Sequence, residues 1–261
     1  MSAEQILFEK APPLAFITFN RPEARNAMSW DMYNGLLRYG HEAEANRDIC
    51  VLILKSSTPN AFVSGTDIAH FKEFSSPKAG IEYEQKLDTI IDSLETLNIP
   101  TIAQIEGVAA GGGCAIAAAC DLRICTPKAR LGVPIARTLG NCLSIANYSR
   151  FLDLIGPTRL KELMFTGRLL TADEALSAGL INKVVESKVI AEVVRATAMA
   201  ISQNAPLTIR ATKIMLNRIQ ASRRLPPEKG HDLVTSCYAS QDFQNAVTAF
   251  FKKEKPDWKG T

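Results

Sequence analysis

Two short stretches constrain this chain more than any others: AFVSGTD at residues 61–67 and GVAAGGGCAIAAACD at residues 107–121. In each, an apolar strand-like run breaks into small residues and then opens a helix. The first N–H groups of a helix lack intrahelical acceptors, so two such starts brought together aim backbone donors at one point. An oxygen that gains negative charge is what such a pair would hold, which describes an oxyanion hole. Gly111, Gly112 and Gly113 place no Cβ between the backbone and an approaching group. Taken alone, the three glycines fit tight helix packing equally well. A dinucleotide-binding turn does not fit, because Ile116 stands where the third glycine of G-x-G-x-x-G belongs.

The segments around these turns alternate between strand and helix. ILFEK and LAFITF, separated by Pro12 and Pro13, read as a hairpin-like start, and CVLILKS at 50–56 as a further strand. Between them, residues 30–45 read as a helix with Ser29 as N-cap and Asp31 in its first turn. TIAQIEG at 101–107 and DLRICTP at 121–127 are two more buried strands. Thr171 with Glu174 forms a capping-box pattern, and Gly179 closes that helix. From about residue 187 the chain is predominantly helical, broken by Pro206, Pro226, Pro227 and Pro256.

Composition excludes several classes. Thirty basic against 27 acidic residues leave a net charge of +3, too mild for a nucleic-acid surface. The start, MSAEQILFEKAPP, lacks the charged and apolar regions of a signal peptide, and no apolar run is long enough to span a bilayer, so a soluble cytoplasmic protein with no membrane partner is expected. The six cysteines include no C-x-x-C pair, and His41, His70 and His231 are far apart, so the expectation is reduced thiols and no metal site.

Several motifs in one order extend this reading: FNRPEARNAMS at 19–29, the two small-residue turns, LGVP at 131–134, FTGRLLTADEALSAGLINKVV at 165–185 and FFKKEKPDWKG at 250–260. Together they resemble the crotonase superfamily of enoyl-CoA hydratases and isomerases over almost the whole chain. The resemblance implies an α/β fold, a spiral of ββα repeats over residues 1–190, with a helical segment over 191–261 that assembles homotrimers or homohexamers. It implies an acyl-CoA thioester substrate, with coenzyme A entering only as the substrate's handle and no separate cofactor. The oxyanion donors would be the amides of Ser64 and Gly112. Gly65, Thr66, Asp67, Ile68, Gly111 and Gly113 would line the acyl-CoA site, with Arg25 near its nucleotide end. Lys252, Lys253 and Lys255 would assist the phosphates or form a solvated tail, and Asp67 reads more simply as a helix cap.

The chain departs from the hydratase pattern at two positions. Hydratases of this family use two glutamates to place and activate water, and by resemblance those positions hold Ala115 and Ile135, neither of which carries a proton. A general acid or base typically contributes about 10²–10⁴ in rate, so ordinary hydration should be crippled. The segment after Ile135, ARTLGNCLSIANYSR, brings Arg137, Asn141 and Cys142. Arg137 would hold a substrate carboxylate, with Asn141 orienting it, or would pair with a structural acid. Cys142 has no sequence-local histidine to activate it, and His70 reads as a helix-surface residue. Glu82 and Glu84 either lie on a solvated helix face or turn a carboxylate toward the acyl pocket. Three functions stay open: enolate chemistry on an acyl-CoA, its special cases of malonyl-type decarboxylation or thioester hydrolysis, and acyl-CoA binding without catalysis.

Overall fold

The computed structural model describes residues 4–74, 76 and 78–261. Strand β1 (Ile6–Ala11) pairs antiparallel with β2 (Leu14–Phe19), and helix α1 (Trp30–Ala45) follows, its first turn capped by the Ser29 side chain, which accepts from the Met32 N–H. From there the chain winds as a spiral, each turn laying one strand in each of two sheets. β3 (Val51–Ser56) and β4 (Ala61–Val63) precede α2 (Ala79–Thr96); β5 (Thr101–Ile105) and β6 (Val108–Ala110) precede α3 (Gly112–Ala119); β7 (Leu122–Cys125) and β8 (Arg130–Gly132) precede α4 (Ile135–Thr138). The odd members join a six-stranded sheet and the even members a four-stranded one, with parallel pairing between successive turns.

Parallel strands covered on both faces read as continuous apolar runs, and VLIL in β3 shows the cause. Val51 and Ile53 pack with Leu14, Ile102 and Ile124 against Ile190, Val194 and Ala198 of a later helix, while Leu52 and Leu54 face the main core on the other side. All four of these β3 side chains are fully buried.

The remainder comprises α5 (Ile145–Thr166), β9 (Leu170–Thr171), α6 (Ala172–Ser177), β10 (Lys183–Val184), α7 (Ile190–Ser202), α8 (Pro206–Arg223), α9 (His231–Tyr238) and α10 (Gln241–Lys252). The helix carrying Ile190, Val194 and Ala198 is α7, so it belongs to the sheet's packing and is not a detached appendage. Thr171 and Glu174 form the full capping box of α6, and Gly179 beyond it has φ 81°. Asp121 ties the far end together, accepting from the Thr101 N–H and hydroxyl and pairing with the buried Lys213 of α8.

The segment RPEARNAMS folds into a short 3-10 turn at Pro22–Ala24, with Arg25 and Asn26 both left-handed (φ 52° and 55°). Asn26 is fully buried, accepts from the Arg21 N–H (2.8 Å) and donates to Ser56 Oγ (2.8 Å) and to the carbonyls of Ala61 (3.0 Å) and Phe62 (3.1 Å). This side chain thereby fastens β4, the strand that delivers the first glycine turn.

Candidate active site

β4 ends at Val63 and the chain turns through Ser64, Gly65 and Thr66, with Gly65 at φ 129°, a conformation open to glycine. The Met28 N–H donates to Gly65 O (2.8 Å) and the Asp67 N–H to Met28 O (3.0 Å), which locks the turn against the segment before α1. The Ser64 N–H donates to Arg25 O (3.2 Å). This corrects the expectation that Ser64 supplies an oxyanion donor, because its N–H already has an acceptor within the protein. The Gly65 and Thr66 N–H groups have no acceptor among the described residues, and the Thr66 nitrogen is the one that lies close to Gly112.

Gly112 opens α3, and as the first helical residue its N–H has no acceptor within the helix. A Cβ built on Gly112 would stand 3.8 Å from the Thr66 nitrogen and 3.2 Å from Thr66 Oγ1, so the two amides are neighbours. Below them Gly113 packs directly on Val63, and a Cβ there would overlap that residue's carbonyl. The threonine side chain is fixed by two buried phenols: Tyr83 Oη donates to Thr66 Oγ1 (2.8 Å), and Tyr33 Oη lies at the same distance. Burial pushes both phenols well above their ordinary range, so they stay protonated.

Thr66, Gly111 and Gly112 form one wall of a cavity of about 240 Å³. Ser64, Gly65, Ile68, Ala110 and Ala115 extend that wall; α2 contributes Tyr83, Glu84, Leu87 and Ile91; Pro134, Ile135, Leu139, Asn141 and Leu143 close the far side, with Phe250 of α10 also in contact. A larger groove, about 670 Å³, runs between Phe71 and α10, but neither glycine turn reaches it.

Residues 9–261 match the family model described as enoyl-CoA hydratase/isomerase. The chain belongs to the enoyl-CoA hydratase/isomerase family. It is 33% identical over 256 residues to a short-chain-enoyl-CoA hydratase of Clostridium acetobutylicum, covering 98% of this chain and 97% of that one. It is also 33% identical over 264 residues to a crotonyl-CoA hydratase of Syntrophomonas wolfei, covering 99% of each. Among solved structures, a methylmalonyl-CoA decarboxylase in complex with 2-nitronate-propionyl-CoA superposes with a TM-score of 0.91 at 25% identity, covering 100% of both chains.

In this member of the hydratase/isomerase family, Ala115 and Ile135 both face the cavity and offer it only hydrocarbon. The one carboxylate on the lining is Glu84, 4% exposed, with no cationic partner among the described residues. Its Oε1 accepts from Tyr238 Oη (2.6 Å) and its Oε2 from the Ser144 N–H (2.8 Å). Burial pushes Glu84 up to about 8; the Tyr238 hydrogen bond opposes the rise and nearby Asp88 adds to it. A carboxyl raised in the folded state holds a proton that the unfolded chain has released, so folding stability is present below the ordinary carboxylate pKa and declines as pH rises through about 8. Chemical denaturation between pH 5 and 9 is expected to show a loss of a few kcal/mol, most of which Glu84→Gln removes.

Most other residues singled out from the sequence lie elsewhere. Arg137 is exposed and packs its Cβ beside Gly167, outside the cavity lining, which corrects the expectation of a carboxylate clamp. Asn141 does line the cavity, donating from Nδ2 to Tyr238 Oη (2.9 Å). Asp67 accepts from the Ala69 N–H and pairs with Arg21 at 2.7 Å, contacts that outweigh burial and hold its carboxyl below the ordinary range. It is a cap, and neither it nor Gly113 is on the lining. Arg25 is exposed, and its backbone carbonyl is the part that matters here. The His70 ring lies against Trp30, tilted by 43° with centroids 5.2 Å apart, and is not on the lining.

Cys142 also misses the cavity and instead meets Cys237, next to the Asn141–Tyr238 contact. Its thiol donates to the Cys237 sulfur, which raises Cys142 and pulls Cys237 down to about 7. Burial pushes Cys114, Cys120 and Cys125 up to about 12. Iodoacetamide at pH 7 is therefore expected to label Cys237 before those three, and Cys142→Ala to slow it about tenfold. Peptide mapping of a time course checks both.

Proposed function

We propose that this chain acts on acyl-CoA thioesters by stabilising an enolate, with the Thr66 and Gly112 amides donating to the thioester oxygen. The observation that carries this reading is the pair of neighbouring amides on one cavity wall that have no acceptor among the described residues. Each such donor, fixed before the reaction, is worth roughly 2.7–4 kcal/mol in the barrier. The hydrocarbon at Ala115 and Ile135 argues against water addition by the two-glutamate route, although the family includes named hydratases.

Decarboxylation of a malonyl-type thioester is the second reading. There the bond to the carboxylate breaks, carbon dioxide leaves, and the electron pair passes into the thioester as an enolate, so no base is required at that step. The likeness to the methylmalonyl-CoA decarboxylase over its full length favours it. Arg137 takes no part, being outside the cavity. The working form is a homo-oligomer in this reading, with Leu207, Met215, Leu216 and Ile219 exposed along α8 as an apolar face for a second copy.

The test is incubation with crotonyl-, 3-enoyl-, methylmalonyl- and acetoacetyl-CoA in deuterated water, with products read by mass spectrometry. Carbon dioxide loss or a shifted double bond with deuterium at the α-carbon is the expected result. Hydration of crotonyl-CoA at an enzymatic rate overturns the argument from Ala115 and Ile135. Binding without any turnover overturns the enzymatic reading.

A further inference from the structure

Glu84 stands in a position that a merely structural carboxylate rarely occupies. It projects from α2 into the same cavity as the two amides, on the helix face it shares with Leu87 and Ile91. A buried carboxylate with no cation is costly to keep, and a solvated helix face would have avoided the cost. Arg150, which acts on the neighbouring Asp88, is engaged by Asn147, Asp92 and Glu95 and not by Glu84. Each Glu84 oxygen accepts one hydrogen bond and keeps capacity for another. The donors come from two other parts of the chain, Tyr238 at the end of α9 and Ser144 at the start of α5, and Asn141 in turn donates to Tyr238. The carboxyl is therefore held in place from two sides while remaining on the lining.

We propose that Glu84 is the general acid–base of this site, exchanging a proton with the α-carbon of a thioester whose oxygen is held by the Thr66 and Gly112 amides. This inference rests on the enolate reading above. In the forward direction the α C–H bond breaks, its proton goes to a Glu84 oxygen, and its electron pair becomes the enolate on the thioester oxygen. In the reverse direction the Glu84 O–H breaks, its proton goes to the α-carbon and the carboxylate is restored. After a decarboxylation only the second half is needed, and a carboxyl protonated at neutral pH is in the right state to supply it. Tyr238 is a positioning residue that acts through Glu84. The groups that face Glu84 and share its titration are Tyr238 from α9, Asp88 and Tyr83 on α2, Tyr33 from α1, and Cys142, with Tyr148 beyond it. The tyrosines and Cys142 are all pushed upward by their surroundings, so between pH 6 and 9 Glu84 and Asp88 are the members of this set that change charge.

The experiment is deuterium incorporation at the α-carbon of butyryl-CoA in deuterated water, from pH 6 to 9, for the full chain, Glu84→Gln and Tyr238→Phe, with butyryl-CoA affinity and thermal melts measured alongside. Wild type is expected to exchange faster as pH rises, levelling above an inflection near 8. Glu84→Gln should lose at least about 100-fold in exchange and lose the inflection, with affinity changed less than about threefold. Tyr238→Phe should slow exchange at neutral pH less than Glu84→Gln does and move the inflection upward, because its hydrogen bond favours the charged form. Exchange by Glu84→Gln within about threefold of wild type, or an inflection that survives it, overturns the proposal while leaving the enolate reading intact. Wild type that binds butyryl-CoA and exchanges nothing overturns both. If Glu84→Gln does not fold, an inflection unmoved in Tyr238→Phe overturns the assignment, and an upward shift supports it.

Discussion

Gly112→Pro, made in a Tyr33→Phe background, is expected to lower thioester turnover by roughly 10²–10³-fold relative to Gly112→Ala in the same background. The comparison replaces one N–H with the proline ring Cδ. A Cβ on Gly112 would meet Tyr33 Oη at 2.5 Å, so the phenol must go first or any side chain there reports bulk. Once it is gone, Thr66 Oγ1 still accepts from Tyr83, so the first turn keeps an anchor. Alanine then keeps the donor and proline removes it. Proline is compatible with the first position of a helix, where its missing N–H costs no intrahelical bond, so α3 should still form. Steady-state kinetics with the best substrate of the panel, together with a thermal melt of each double variant, checks it. A proline variant that melts like the alanine variant and turns over as fast removes Gly112 from the mechanism.

The two glycine turns were legible because each feature is local: an apolar run, a break of small residues and a helix start lie within fifteen positions or fewer. The hairpin of β1 and β2, the Ser29 cap and the capping box at Thr171 were legible for the same reason. What escaped depends on partners far along the chain. The sequence reading places the donor at Ser64, and only the bond from the Ser64 N–H to Arg25 O moves it to Thr66. Glu84 reads either as a solvated helix residue or as one facing the acyl pocket until Tyr238 and Ser144 close over it from α9 and α5. Arg137 reads as a clamp or as the partner of a structural acid, and the short helix α4 turns it to the surface instead. Nor does a strand's sequence say which of two sheets it joins; the alternation of β3 to β8 between sheets is set by pairing and not by propensity.

Asn26→Ala is expected to destabilise the chain by roughly 3–5 kcal/mol and to impair catalysis in whatever folded population remains. The amide nitrogen of Asn26 serves Ser56 Oγ and the carbonyls of Ala61 and Phe62, and its oxygen serves the Arg21 N–H, all at a fully buried position. Leaving a buried polar group without its partner costs about 1–3 kcal/mol, and several are exposed to that cost at once. Its backbone is also left-handed at φ 55°, a conformation asparagine tolerates and alanine resists. Asn26→Asp separates the contributions: it keeps the oxygen for Arg21 and the residue's backbone tolerance, yet turns an acceptor toward two carbonyls, so it should be at least as damaging as alanine. Urea unfolding gives the stability loss. Activity should fall further than the folded fraction, because β4 then carries Gly65 and Thr66 on a loosened strand while Gly112 stays fixed at the head of α3, and two donors that no longer share one point stabilise the enolate poorly. Activity that tracks the folded fraction alone would leave Asn26 a purely structural residue.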